Sequence, residues 1–150
     1  MRILLFSLLL CLSIQANSVT SIAIPLIQQH EGFVSKPYYD NGGITIGYGT
    51  NLSIGITEEE ALILLQFRLE KLRRQLLKLS WYQKLSINRK AAILDLTYNV
   101  GFAGLHTFKN MIWCLKFNYY HAASNHLKNS LWYTQTGRRG KYLVRLLYDG

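Results

Sequence analysis

At 150 residues, 49% hydrophobic and 17% charged, the chain is long enough for one domain with a real core, and its composition excludes a disordered or fibrous protein. Its 17 Lys and Arg against 8 Asp and Glu leave a formal charge of +9, which suits an anionic envelope or a nucleic acid without choosing between them. No nucleic-acid motif accompanies the charge and the basic residues are spread over several segments, so no nucleic-acid partner is expected. The four histidines, His30, His106, His121 and His126, are scattered, no Cys/His set has zinc spacing, and neither metal nor cofactor is expected.

The first residues form a separate object. Met1-Arg2 is a positive start, Ile3 to Leu12 an apolar run, and Ser13 to Ser18 a more polar stretch containing Ala16. This pattern predicts a secretory signal over residues 1–16, export to the periplasm or the cell exterior, and a monomeric folded domain over residues 17–150. The run is short of the roughly 20 residues of a membrane span. A buried N-terminal helix is one alternative; a membrane anchor, giving transient membrane contact through this segment, is another. Leu10 is too large for the position before a lipoprotein cysteine at Cys11. With Cys11 removed, Cys114 is alone in the apolar run Met111 to Leu115, so it is expected as a buried small hydrophobe and no disulfide is expected.

Ser21 can cap a helix over Ile22 to His30 with Pro25 in its first turn and Gly32 as its stop. Glu31 then stands at the carbonyl end, where the helix dipole, together with desolvation by Phe33, favours the protonated form that a general acid needs. Asn41-Gly42 is a strong signal for a two-residue hairpin turn. The resulting register pairs Asp40 with Gly43, Tyr39 with Ile44 and Tyr38 with Thr45. Alternation puts Tyr38, Asp40, Thr45, Gly47 and Gly49 on one face and the apolar Tyr39, Ile44, Ile46 and Tyr48 on the other, which should cover a core. The polar face reads as a cleft floor, its two glycines leaving room for a bulky ligand. Two carboxylates, Glu31 and Asp40, in contrasting surroundings fit glycoside hydrolysis.

A link, Ser53-Ile54-Gly55, leads to a capping box of Thr57 and Glu60. Leu62, Leu65, Leu69, Leu72, Leu76 and Leu79 then recur at helical steps, with Arg68, Lys71, Arg74 and Lys78 off the stripe. A helix joining two lobes is the favoured reading; a membrane-active basic helix or a coiled-coil partner is the alternative. After a break at Trp81 to Ile87, with Ser86 or Asn88 starting the next helix, Arg89 to Asn99 should bury Ala92, Ile93, Leu96 and Val100. Short helices are expected from Phe108 to Gly150.

Glu31-Gly32, Asp40 nine residues on, and Thr45-Ile46-Gly47-Tyr48-Gly49 resemble the catalytic signature of the T-even phage lysozyme and endolysin family, glycoside hydrolase family 24. The likeness extends through Tyr98-Asn99-Val100-Gly101 and Trp132-Tyr133-Thr134-Gln135-Thr136. It implies an α+β, predominantly α, lysozyme-like two-lobed domain with a small β-hairpin lobe and a helical lobe. The implied activity is that of a muramidase on peptidoglycan glycan strands, leading to bacteriolysis. Glu31 is implied as general acid, and Asp40 and Thr45 as the pair that activates a water, giving inversion; carboxyl groups only about 5 Å apart would instead mean retention. The resemblance makes Asn99 a substrate contact, although a polar residue before a glycine stop explains it equally. It also puts Arg139, or its neighbour Arg138, where the family has an arginine paired with the catalytic glutamate. Thr50 departs from a family histidine. The competing readings are a non-catalytic basic protein that binds the envelope and a nucleic-acid binder, whose affinity would fall steeply with salt.

Overall fold

The computed structural model describes residues 18–40 and 42–150; the signal expected at residues 1–16 and Asn41 of the hairpin turn lie outside the described residues. The chain divides into two units, Met1–Thr57 and Glu58–Gly150. The first holds helix α1 (Ser18–Glu31) and an antiparallel sheet in the order β1 (Val34–Asp40), β2 (Gly43–Gly47), β3 (Thr50–Asn51). The second is helical: α2 (Glu58–Leu76), α3 (Ser80–Gln83), α4 (Ile87–Leu105), α5 (Lys109–Lys116), α6 (Tyr120–Lys128), α7 (Leu131–Thr136) and α8 (Arg138–Asp149). This is the predominantly helical α+β class that the sequence predicts.

In the first unit, α1 is already helical at Ser18, so Pro25 lies in its interior rather than its first turn, where it removes one backbone hydrogen bond. Gly32 ends the helix as expected: at φ 68° its N–H turns back to the Gln28 carbonyl at 3.1 Å, the single-bond left-handed ending. The hairpin has the predicted register, Asp40 with Gly43, Tyr39 with Ile44 and Tyr38 with Thr45. Beyond Tyr38 the register shifts, so that Val34 pairs with Gly47. The irregular stretch contains Pro37, which has no N–H to give a ladder.

Burial in this sheet departs from the expected pattern. Tyr39 is 84% exposed and Tyr48 is exposed, whereas the polar Thr45 is only 3% exposed. Position in the sheet decides this: Thr45 pairs with Tyr38 on one side and Asn51 on the other, while Tyr39 lies on an edge strand beside the turn.

α2 starts at Glu58, directly after Thr57, with Glu60 as its third residue, the spacing of a capping box. Its leucine stripe sinks along its length, from Leu62 at 50% exposed to Leu76 at 0%. Ser86 is the cap of α4, accepting from the Arg89 N–H at 3.3 Å, and the break before it contains the single helical turn α3. Gly101 interrupts α4 at φ 77°, ψ 162°. The expected Ala92, Ile93 and Leu96 join Leu76, Leu105, Met111, Leu115, Leu127, Leu143 and Leu147 in the core, with Val100 packed at its margin. Cys114 is buried there as a free thiol. Among the described residues no helix is long and apolar enough to cross a membrane.

Candidate active site

Three of the five residues singled out from the sequence, Glu31, Asp40 and Thr45, fall within the first unit. The hairpin positions two of them directly against each other. Thr45 Oγ1 donates to Asp40 Oδ2 at 2.9 Å, across the strand pair that the register sets diagonally. The other carboxylate oxygen, Oδ1, accepts from the Gly42 N–H at 2.8 Å. Asp40 thus closes its own turn with one oxygen and holds the Thr45 hydroxyl with the other, so its orientation is set from both sides.

Two residues not expected at the site from the sequence, Asn51 and Ser53, brace this turn. Asn51 Nδ2 donates to the Gly42 carbonyl at 2.8 Å, and its Oδ1 accepts from the Ser53 N–H at 2.8 Å. Ser53 Oγ in turn accepts from the Ile44 N–H at 2.8 Å. The serine hydroxyl occupies the space beside Gly43: a Cβ there would collide with Ser53 Oγ. The signal was present in the sequence as Asn-x-Ser after a strand, a local side-chain-to-backbone pattern of the kind that stabilises turns.

Glu31 reaches the same sheet from the end of α1. Its carboxyl group rests on Gly49, where an added Cβ would lie 3.0 Å from Oε2 and 3.3 Å from Cδ. The Gly49 backbone, at φ 80°, is also one that side-chain-bearing residues rarely adopt. The room expected for a ligand at Gly47 and Gly49 is divided between two uses. At Gly49 that room is taken by the protein's own glutamate, while at Gly47 nothing lies within 4 Å of an added Cβ. The expected desolvation by Phe33 is not found. Glu31 is exposed, and the Phe33 ring, itself 66% exposed, packs on Tyr48 at 5.4 Å between centroids.

The other two residues belong to the second unit and have partners there. Asn99 Oδ1 accepts from the indole N–H of the buried Trp132 at 2.7 Å. Arg139 Nε donates to Asp95 Oδ1 at 2.6 Å and its Nη2 to the Asp95 carbonyl at 3.1 Å. It borders an open depression with Leu65, Leu69, Leu94 and Tyr98, whereas Arg138 is exposed. Among the described residues no group of His, Cys, Asp or Glu could hold a metal ion.

A carboxylate gripping a hydroxyl, with a second carboxyl group seated on the turn between β2 and β3 of the same small sheet, is a set of groups suited to proton transfer and water activation. Residues 28–146 match the family model described as Phage lysozyme. No curated protein matches the chain.

Proposed function

The chain belongs to the phage lysozyme family, whose members are glycoside hydrolases acting on peptidoglycan, and from that premise we propose that it is a muramidase cleaving the β-1,4 bond between N-acetylmuramic acid and N-acetylglucosamine. The observation that carries the proposal is the Thr45 hydroxyl held on Asp40 at 2.9 Å, in the unit where Glu31 is seated on Gly49.

In this reading Glu31 donates a proton to the glycosidic oxygen as the bond to the leaving sugar breaks. A carboxylate oxygen that accepts one hydrogen bond keeps a second lone pair, and so does a hydroxyl that has donated. Asp40 Oδ2 and Thr45 Oγ1 can therefore both accept from one water and aim its oxygen at the anomeric carbon from the opposite face. Attack from that side inverts the configuration. Gly47, open above its backbone, is where a sugar ring can approach the sheet. Asn99 and Arg139, held in the second unit by Trp132 and Asp95, are proposed as substrate-binding residues from the family resemblance. Peptidoglycan breakdown by an exported enzyme lyses bacteria. Export is proposed from the sequence pattern of residues 1–16, with the enzyme occupying residues 17–150; N-terminal sequencing of secreted protein should start at Asn17.

The test is clearance of purified peptidoglycan by the wild type and Glu31→Gln, with mass analysis of the ends and NMR of the newly formed anomer. Loss of clearance in the variant, reducing ends and an α anomer are expected. Anhydro ends would replace hydrolysis by lytic transglycosylation, and a β anomer would replace inversion by retention. Equal clearance by both proteins would remove Glu31 from the mechanism.

A further inference from the structure

The second unit carries three large aromatic side chains that contribute nothing to its core. Trp113, Phe117 and Tyr119 are 55%, 54% and 55% exposed, yet they form one cluster, with centroids 5.0 Å apart for Trp113 and Phe117 and 5.9 Å for Trp113 and Tyr119. Phe117 and Tyr119 lie within 26° of parallel.

The backbone that presents them is firmly closed. Helix α5 ends with Asn118 at φ 62°, in the left-handed region where asparagine is the most tolerated residue after glycine. The Tyr119 N–H bonds to the Cys114 carbonyl at 2.9 Å and the Asn118 N–H to that of Leu115 at 3.3 Å, the paired bonds of a Schellman ending. Asn118 Oδ1 also accepts from the Tyr120 hydroxyl at 2.8 Å. An apolar contact between Trp113 and Tyr119 normally accompanies such an ending. Phe117 and the exposure of all three rings are not required by it.

Tyr119 also opens onto a depression of about 480 Å³, lined besides by Arg89, Asn118, Tyr120 and His121. The side chains of this rim are themselves ordered: Arg89 sits 3.7 Å over the Tyr120 ring and donates to the Leu147 carbonyl, and His121 stacks on Tyr148 at 3.9 Å. We propose that Trp113, Phe117 and Tyr119, with this adjoining depression, are a second binding site for an N-acetylated glycan strand, carried on residues other than those of the catalytic proposal. The ligand class follows from the surface. A pyranose offers flat C–H faces to aromatic rings and hydroxyl edges to polar neighbours, and preset rings bind it with little ordering cost. Exposed Lys116 and the cationic Arg89 complement the carboxylates that wall glycans bear on their peptide stems. The choice of glycan rests on the muramidase reading.

The test uses the full chain with Glu31→Gln, so that glycan is not consumed. Trp81 and Trp132 are 7% and 8% exposed, so iodide quenching of tryptophan fluorescence reports Trp113. Soluble uncross-linked glycan strands should remove most of that quenching. Trp113→Ala and Tyr119→Ala should each weaken pelleting with peptidoglycan about tenfold, while Leu131→Ala, another exposed apolar residue, leaves it unchanged. Quenching unaffected by glycan strands overturns the proposal, and so does protection by phosphatidylglycerol vesicles alone. If a variant fails to fold, the quenching of the parent chain decides. Cleavage by wild type is scored separately: protection of Trp113 without cleavage removes the muramidase and keeps this site as a glycan binder, and cleavage without protection does the reverse.

Discussion

Alanine at Gly49 adds one carbon where the Glu31 carboxyl group rests, and its effect divides into two parts. The first is backbone strain: at φ 80° a residue with a Cβ costs about 1–2 kcal/mol. For a chain of this size that lowers Tm by roughly 2–8 °C. The second part is displacement. The new Cβ would stand 3.0 Å from Oε2 and 3.3 Å from Cδ, so the glutamate must give way by a few tenths of an ångström, which a flexible side chain does cheaply. Stability hardly registers that movement, but since a catalytic group misplaced by about 1 Å loses on the order of 10²-fold in rate, a shift of part of that distance should cost several-fold. Gly55 supplies the control. Its φ is 79° and nothing lies within 4 Å of its added Cβ, so Gly55→Ala carries the same strain without touching Glu31. Both variants should melt at similar temperatures below wild type. In peptidoglycan clearance, measured well below both melting points, Gly49→Ala should lose about 3- to 10-fold and Gly55→Ala less than about twofold. Equal activity in the two variants would show that the seat on Gly49 does not position a working acid.

Thr45→Val keeps the shape of a buried side chain and removes the hydroxyl held by Asp40. Stability should change by only about 1 kcal/mol in a urea titration, while turnover falls on the order of 10²-fold; unchanged turnover would take Thr45 out of water activation. In α2, hydrogen bonds from Arg73 and then Arg74 hold the Glu70 carboxyl at a pKa of about 2, below its usual 4.5. A depressed carboxylate stabilises the fold above its unfolded pKa, so this contribution should be present above about pH 4.5 and fade as the pH falls toward 2. The difference in melting temperature between wild type and Glu70→Gln should shrink over that window and with added salt, because all three side chains are solvated.

The parts of this protein that could be read from the sequence are those set by neighbours along the chain. The Asp40 to Gly43 turn and its register followed from a two-residue loop between alternating strands, the end of α1 from Gly32, the start of α4 from Ser86, and the interruption of that helix from Gly101. Each depends on φ, on a cap or on a period of two or 3.6, and these are local properties. The family signature was legible for the same reason, since Glu31, Asp40 and Thr45 lie within one short stretch.

Only the tertiary structure could decide what occupies the space beside a residue. Gly49 was visible as a glycine, but that its missing side chain makes room for Glu31 depends on where α1 meets the sheet. Thr45 is buried and Tyr39 exposed because central and edge positions outweigh apolarity in so small a sheet. Arg139 takes Asp95, 44 residues away, and Trp132 takes Asn99, 33 residues away; both pairings are set by how the helices pack. Hydrogen bonds and contacts between distant segments depend on the folded positions of both partners, and no spacing along the chain encodes those.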